Sequence, residues 1–137
     1  MPTGGRLPNV NRIVLDASAL LAVLNDEPGA EMLTLALLTG AVVSTVNLAE
    51  VHSKLVGHGI DRDDAWEAAL SPVREVEVFT SEQAKIAGGL ILRTRPLGLS
   101  LGDRACLALG ITLKAPVYTA DKDWKKLKLG IPIHAIR

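Results

Sequence analysis

From Ile13 onward the sequence alternates short apolar, β-branched runs with longer stretches of helical periodicity, an alternation that admits few architectures. Ile13-Val14-Leu15 is continuously apolar, as expected of a strand buried on both faces, and Asp16 ends it. Val42-Val43-Ser44, the run Val76 to Phe79 and Val117-Tyr118-Thr119 read as further strands. Ile131 to Ile136 reads as a last edge strand, where Pro132 is tolerated. Between these runs the spacing predicts a helix over 17–25, a break at Asp26-Glu27-Pro28-Gly29, and a second helix through Leu38. Further helices are expected over 47–56, 63–70 and 81–94, then one capped by Ser100 and a short basic one over 121–129. Strands joined by helical crossovers demand a parallel sheet. The expected fold is therefore α/β, three layers with helices on both faces of a central parallel sheet of four to five strands.

A chain of 137 residues is the size of one domain, and no repeat, low-complexity tract or linker divides it. Residues 1–12 are polar and rich in Gly and Pro, so they are expected to form a flexible extension ahead of a single domain at 13–137. A lone Cys106 excludes a disulfide framework and a Cys-rich zinc site, and it fits a reducing compartment, most simply the cytoplasm. No apolar run is long enough to span a membrane. Aromatic residues make up only 3% (Trp66, Phe79, Tyr118 and Trp124), too few for a stacking platform that binds single strands.

In a sheet of this kind, ligands bind beyond the carboxyl ends of the strands, so the strand-to-helix junctions are where chemistry is expected. Four acids fall there: Asp16 after the first strand, Glu50 near the start of the helix after the second, Asp103 just after Ser100, and Asp121 after the fourth. Each has a bland reading. Asp16 and Asp121 suit helix N-caps, while Asn47-Leu-Ala-Glu50 and Ser100-Leu-Gly-Asp103 both resemble capping boxes. Capping needs one acceptor per helix, however, and does not explain a carboxylate at every one of these junctions. Clustered carboxylates repel one another, and a divalent cation or raised pKa values must offset that cost. Oxygen ligands without His or Cys point to Mg²⁺ or Mn²⁺ rather than zinc. Such an ion at a carboxylate cluster is the apparatus of phosphodiester hydrolysis. Ser18 and Thr119 lie beside Asp16 and Asp121, placed either to orient a ligand or to close local turns.

Four ordered segments carrying these acids resemble the PIN-domain ribonucleases of the VapC toxin type: VLDASALLAVLNDEPGAE, STVNLAEV, LGLSLGDRACLALG and VYTADKDWKKL. The likeness covers residues 13–137, and no acidic position departs from the family pattern. It implies Mg²⁺- or Mn²⁺-dependent cleavage of RNA, neutralisation by a cognate VapB-type antitoxin in a type II toxin–antitoxin system, and a homodimer. It also implies that Asp16 and Asp103 ligate metal most directly, that Glu50 and Asp121 hold a second metal or position the attacking water, and that Ser18 and Thr119 are the accompanying hydroxyls. A non-catalytic PIN-like module that binds RNA or protein is the alternative. A haloacid-dehalogenase phosphatase is excluded because Ser18 stands where a second Asp is required. A response-regulator receiver is excluded because no Asp follows the third strand, and a dinucleotide-binding fold because no G-x-G-x-x-G follows the first.

The formal net charge of zero conceals a division along the chain. Residues 13–82 hold twelve acids against three bases, whereas residues 85–137 hold ten bases against three acids. Arg93, Arg95, Arg104, Lys122, Lys125 and Lys126, with Lys128, are therefore the candidates to flank the acids and hold RNA phosphates. Arg104, next to Asp103, is the leading one.

Overall fold

All three residues of Ile13–Leu15 (β1) are apolar and buried because this strand lies at the centre of the sheet, paired on both edges, with a core packed on each face. Ala41–Ser44 (β2) lies on one side of it and Val117–Thr119 (β4) on the other. Glu75–Glu77 (β3) and Ile133–Ala135 (β5) close the two edges, giving the order β3-β2-β1-β4-β5 with every pairing parallel. The expected α/β fold with a five-stranded parallel sheet is the one observed. The computed structural model describes residues 11–137, so the expected extension lies outside the described residues except for its end. There Arg12, assigned to the extension from the sequence, is 3% exposed and pairs with Glu75 of β3 at 3.4 Å.

The helices are Ala17–Asn25 (α1), Leu35–Leu38 (α2), Thr45–Gly57 (α3), Arg62–Leu70 (α4), Ser81–Gly89 (α5), Ile91–Thr94 (α6) and Leu101–Leu113 (α7). Alternating strand residues feed two cores. Ile13, Leu15, Ala41 and Val43 pack beneath α1, α3 and α4, while Val14, Val42 and Val117 pack beneath α7 with Trp124 and Leu90. This is the three-layer arrangement that the crossovers demanded.

Several boundaries differ from expectation, each for a local reason. The helix expected over 81–94 breaks at Leu90, directly after the pair Gly88-Gly89, and continues as α6 and a 3-10 turn at Arg95–Leu97 that carries Pro96 near its start. The basic helix expected over 121–129 is only a 3-10 turn, Lys122–Lys126. Strand β3 begins at Glu75, ahead of the apolar residues that suggested it, because an edge strand need not be apolar: Val78 lies beyond it, 65% exposed. Between α1 and α2, Gly29 adopts φ +95°, and a Cβ there would overlap the Ile136 carbonyl, so the residues after β5 lie directly against the Glu27-Pro28-Gly29 turn. Among the described residues no helix is long and apolar enough to cross a membrane.

Candidate active site at the switch point of the sheet

The chain leaves β1 for β2 on one side and returns to β4 on the other, so the crevice beyond the carboxyl ends of β1 and β4 is the topological switch point. Asp16, Glu50, Asp103 and Asp121, separated by up to about a hundred residues in sequence, all line a cleft of about 350 Å³ there. Ala17, Ser18, Leu21, Glu27, Lys54, Trp124 and Arg137 complete its walls.

Local helix chemistry aims three of these carboxylates. Asp16 caps α1, accepting from the Ala19 amide at 2.7 Å. Asp103 and Ser100 form a reciprocal capping box on α7, with the Ser100 amide donating to Asp103 Oδ2 at 2.9 Å and the Asp103 amide to Ser100 Oγ at 3.1 Å. Asp121 accepts from the Asp123 amide at 3.0 Å. Capping and convergence are thus one geometry, since the cap bond fixes each carboxylate at the sheet edge. Glu50 is the exception. Ser44 caps α3 through the Val46 amide, so Glu50 stands within the helix and Asn47 is no cap. Instead the buried Asn47 amide donates to Glu50 Oε1 at 2.8 Å and to the Gly102 carbonyl at 3.0 Å, bridging α3 to α7. Gly102 leaves the space this needs: a Cβ there would stand 2.5 Å from Glu50 Oε2.

The two hydroxyls serve Asp16. Thr119, fully buried, donates to Asp16 Oδ2 at 2.6 Å, and Ser18 Oγ lies 2.8 and 2.9 Å from the two Asp16 oxygens while accepting from the Ala120 amide. Asp16 is only 3% exposed, and burial lifts its pKa to about 6 even though Thr119, the Ala19 amide and Ser18 favour the charged form. The Asp103 charge adds to the rise. Cys106, wholly buried in α7, has its thiol held well above the ordinary range by burial and by the charges of Asp16, Asp103 and Glu50. It is a packing residue under a negative site.

The donor set is the kind that suits a hard divalent cation, all carboxylate oxygen with no His or Cys in the walls. Among the described residues, however, no three acidic, His or Cys side chains already stand together as a ligand set. Glu50, Asp103 and Asp121 are each held through one oxygen, which leaves the second oxygen of each carboxylate available to a ligand.

Of the expected basic flank only Lys122 borders the site, and none of it lines the cleft itself. Arg104 Nη1 donates to the Ala87 carbonyl at 3.0 Å and ties α7 to α5. Lys126 pairs with Asp123 at 3.2 Å. Arg93 and Arg95 lie exposed on α6 and the turn after it, and Lys125 and Lys128 border other hollows. Lys122 lines a second hollow of about 490 Å³ that shares Ser18, Asp121 and Arg137 with the cleft. The two cations in the cleft itself, Lys54 and Arg137, were not among the expected residues. Lys54 follows Glu50 by one helical turn, a spacing that could have marked it, whereas nothing in the sequence marks Arg137.

Comparison with known proteins agrees with this architecture. The family model described as PIN domain matches residues 13–129. Among solved structures, the chain is similar to a DNA-bound VapBC from Salmonella typhimurium (TM-score 0.72, 14% identity, 92% of this chain and 98% of that one). It is similar also to a toxin-antitoxin complex from Klebsiella pneumoniae (TM-score 0.70, 18% identity, 91% and 98%). A third likeness is to VapBC-1 from nontypeable Haemophilus influenzae (TM-score 0.68, 16% identity, 90% and 97%). At these identities the similarity is one of fold. No curated protein matches the sequence.

Proposed function

The chain belongs to the PIN domain family, and on that premise we propose that it is an Mg²⁺- or Mn²⁺-dependent endoribonuclease, the toxin of a type II toxin–antitoxin pair. The observation that carries this reading is the meeting of four carboxylates from four separate junctions in one cleft at the switch point. In it Asp16 and Asp103 would hold the ion most directly, with Glu50 and Asp121 as the further acids. When bound, a divalent ion supplies a nucleophilic water at neutral pH and offsets the charge that develops on the phosphate.

The remaining work falls to the chain. Thr119, Ser18 and the Ala19 amide hold Asp16 in one orientation, so its carboxylate needs no reorganisation on binding. Asn47 anchors one oxygen of Glu50 and fixes α3 against α7. Helices α1 and α7 both begin at the cleft, and their N-terminal dipoles favour a phosphate there.

The toxin assignment and a VapB-type antitoxin partner rest on the likeness to structures described as VapBC and toxin-antitoxin complexes. An exposed apolar surface supports a protein partner, the antitoxin or a second copy in a homodimer. Leu35 is 87% and Met32 57% exposed, and Leu35 borders a hollow of about 560 Å³ with Val23, Leu24, Leu38 and Val73. The reading places the protein in the cytoplasm, where its RNA substrate is found.

Incubation of total RNA with purified protein and Mg²⁺ or Mn²⁺ tests the activity. Wild type should cleave and Asp16→Asn and Asp103→Asn should not; equal cleavage by all three would leave the non-catalytic alternative standing.

A further inference from the structure

We propose that Arg137 is the phosphate clamp of this site, and that Lys54 and Lys122 mark the two ends of the path along which the RNA backbone crosses it. The inference rests on the nuclease reading above and names the groups that would hold its substrate.

The acid cleft and the hollow beside it share Ser18, Asp121 and Arg137, so they adjoin, and an RNA strand crossing from one to the other would lie in a single trough. Lys54 stands in the wall of the first and Lys122 in that of the second. Arg137 borders both and is therefore the cation nearest the middle, beside Asp121. A strand of phosphates laid in a trough lined by Asp16, Glu50, Asp103 and Asp121 needs fixed positive charge, and Arg93, Arg95, Arg104, Lys125 and Lys126 do not line it.

The placement of Arg137 is built rather than incidental. Its Nη1 donates to the Pro28 carbonyl at 2.8 Å and to Glu27 Oε1 at 3.3 Å, and Ile136 before it is buried against Gly29. These bonds engage a single nitrogen, Nη1. The planar guanidinium has five donors, and the fork it presents matches two phosphate oxygens. The side chain keeps 38% of its surface exposed, enough for a ligand to reach it. A plain surface ion pair with Glu27 is the competing role, and it makes a different prediction.

The test measures binding of a fluorescein-labelled, mixed-sequence single-stranded 20-mer RNA by anisotropy against salt concentration, in an Asp103→Asn background that leaves the probe intact. Arg137→Gln should raise Kd about five- to tenfold and reduce the salt slope by about 0.7, the loss of one phosphate contact on a single strand. Lys54→Gln and Lys122→Gln should each lower the slope similarly with a smaller rise in Kd, and Arg137→Lys should recover the slope but only part of the affinity. Glu27→Gln removes the ion pair and keeps the cation, so binding should be retained. An unchanged Kd and slope in Arg137→Gln would overturn the proposal, as would a loss in Glu27→Gln equal to that in Arg137→Gln. Cleavage of total RNA by the otherwise native protein separates the two ideas. If it cleaves but Arg137→Gln binds normally, the clamp alone fails; if it never cleaves but binding depends on Arg137, the nuclease reading fails and the clamp stands.

Discussion

Asp16 and Asp121 leave the ends of neighbouring parallel strands and both cap the segment that follows, yet the structure treats them in opposite ways. Asp16 ends the central strand, lies 3% exposed, and receives Thr119, Ser18 and the Ala19 amide. Asp121 ends the strand next to the edge, is followed by a 3-10 turn, stays exposed, and receives the Asp123 amide. The difference shows that depth in the sheet, rather than residue type or cap position, decides how a junction carboxylate behaves. Burial penalises the charge on Asp16 and lifts its pKa to about 6, which makes it the acid with most to gain from a cation. Asp121 keeps its hydration and can serve at the rim.

The comparison can be broken most sharply by activity. Asp16→Asn and Asp103→Asn should each lower the cleavage rate by about 10²- to 10³-fold, as removal of a preorganised charged group does, while Asp121→Asn should lower it only about tenfold. Single-turnover cleavage rates decide it, and equal losses for Asp16→Asn and Asp121→Asn would show that depth is irrelevant.

Stability against pH comes next. Because the folded pKa of Asp16 lies above its unfolded value of 3.8, the native state binds the extra proton, so the contribution of Asp16 to stability is fully present below about pH 4 and is lost as pH rises to about 6. The loss above that range is on the order of 3 kcal/mol. Asp16→Asn should remove this slope and be more stable than wild type at pH 7.5, a common trade of stability for function. Asp121→Asn should leave the slope in place. Urea melts at pH 4.5 and 7.5 measure both, and Mg²⁺ or Mn²⁺ at pH 7.5 should raise the melting temperature of wild type but not of Asp16→Asn.

A smaller effect isolates the hydroxyl. Thr119→Val keeps the shape but removes the shortest hydrogen bond to Asp16, at a cost of about 1.5 to 3 kcal/mol when Asp16 is charged. The cost should shrink at pH 4.5, where Asp16 is protonated; a penalty independent of pH would mean that packing, not charge, matters at this site. Smallest in stability is Gly102→Ala. Its Cβ meets the Glu50 carboxylate, so Glu50 must turn away and cleavage should fall about tenfold, while better helix propensity stabilises α7 by up to about 1 kcal/mol. Unchanged cleavage would mean that the placement of the Glu50 carboxylate over Gly102 does not matter to the reaction.

Much of this site was legible because parallel strands buried on both faces read as unbroken apolar runs and because helices that begin at the sheet edge carry cap residues. Ile13–Leu15, Asp16 and the Ser100–Asp103 box were readable for those reasons. Strand β3 was displaced by the same logic, since an edge strand holding Glu75 and Glu77 has no such run. Asn47 passed for a cap because an Asn three residues before a Glu fits that pattern, whereas its partner Gly102 lies 55 residues away. The segregation of charge along the chain says least about which cations line the cleft. The basic stretch 85–137 is real, but Arg104 is spent on α5 and Lys126 on Asp123, while the cleft takes one cation from each half.

By itself the sequence determined the alternation of strand and helix, the parallel sheet, and the carboxylates at its edge, because each is encoded by neighbours within a turn or two. Only the tertiary structure decided that Asp16 is sealed and Asp121 open, that Glu50 rests over Gly102, and that Arg137 stands beside them. Depth and distant proximity depend on which crossovers lie side by side, and no local pattern records that.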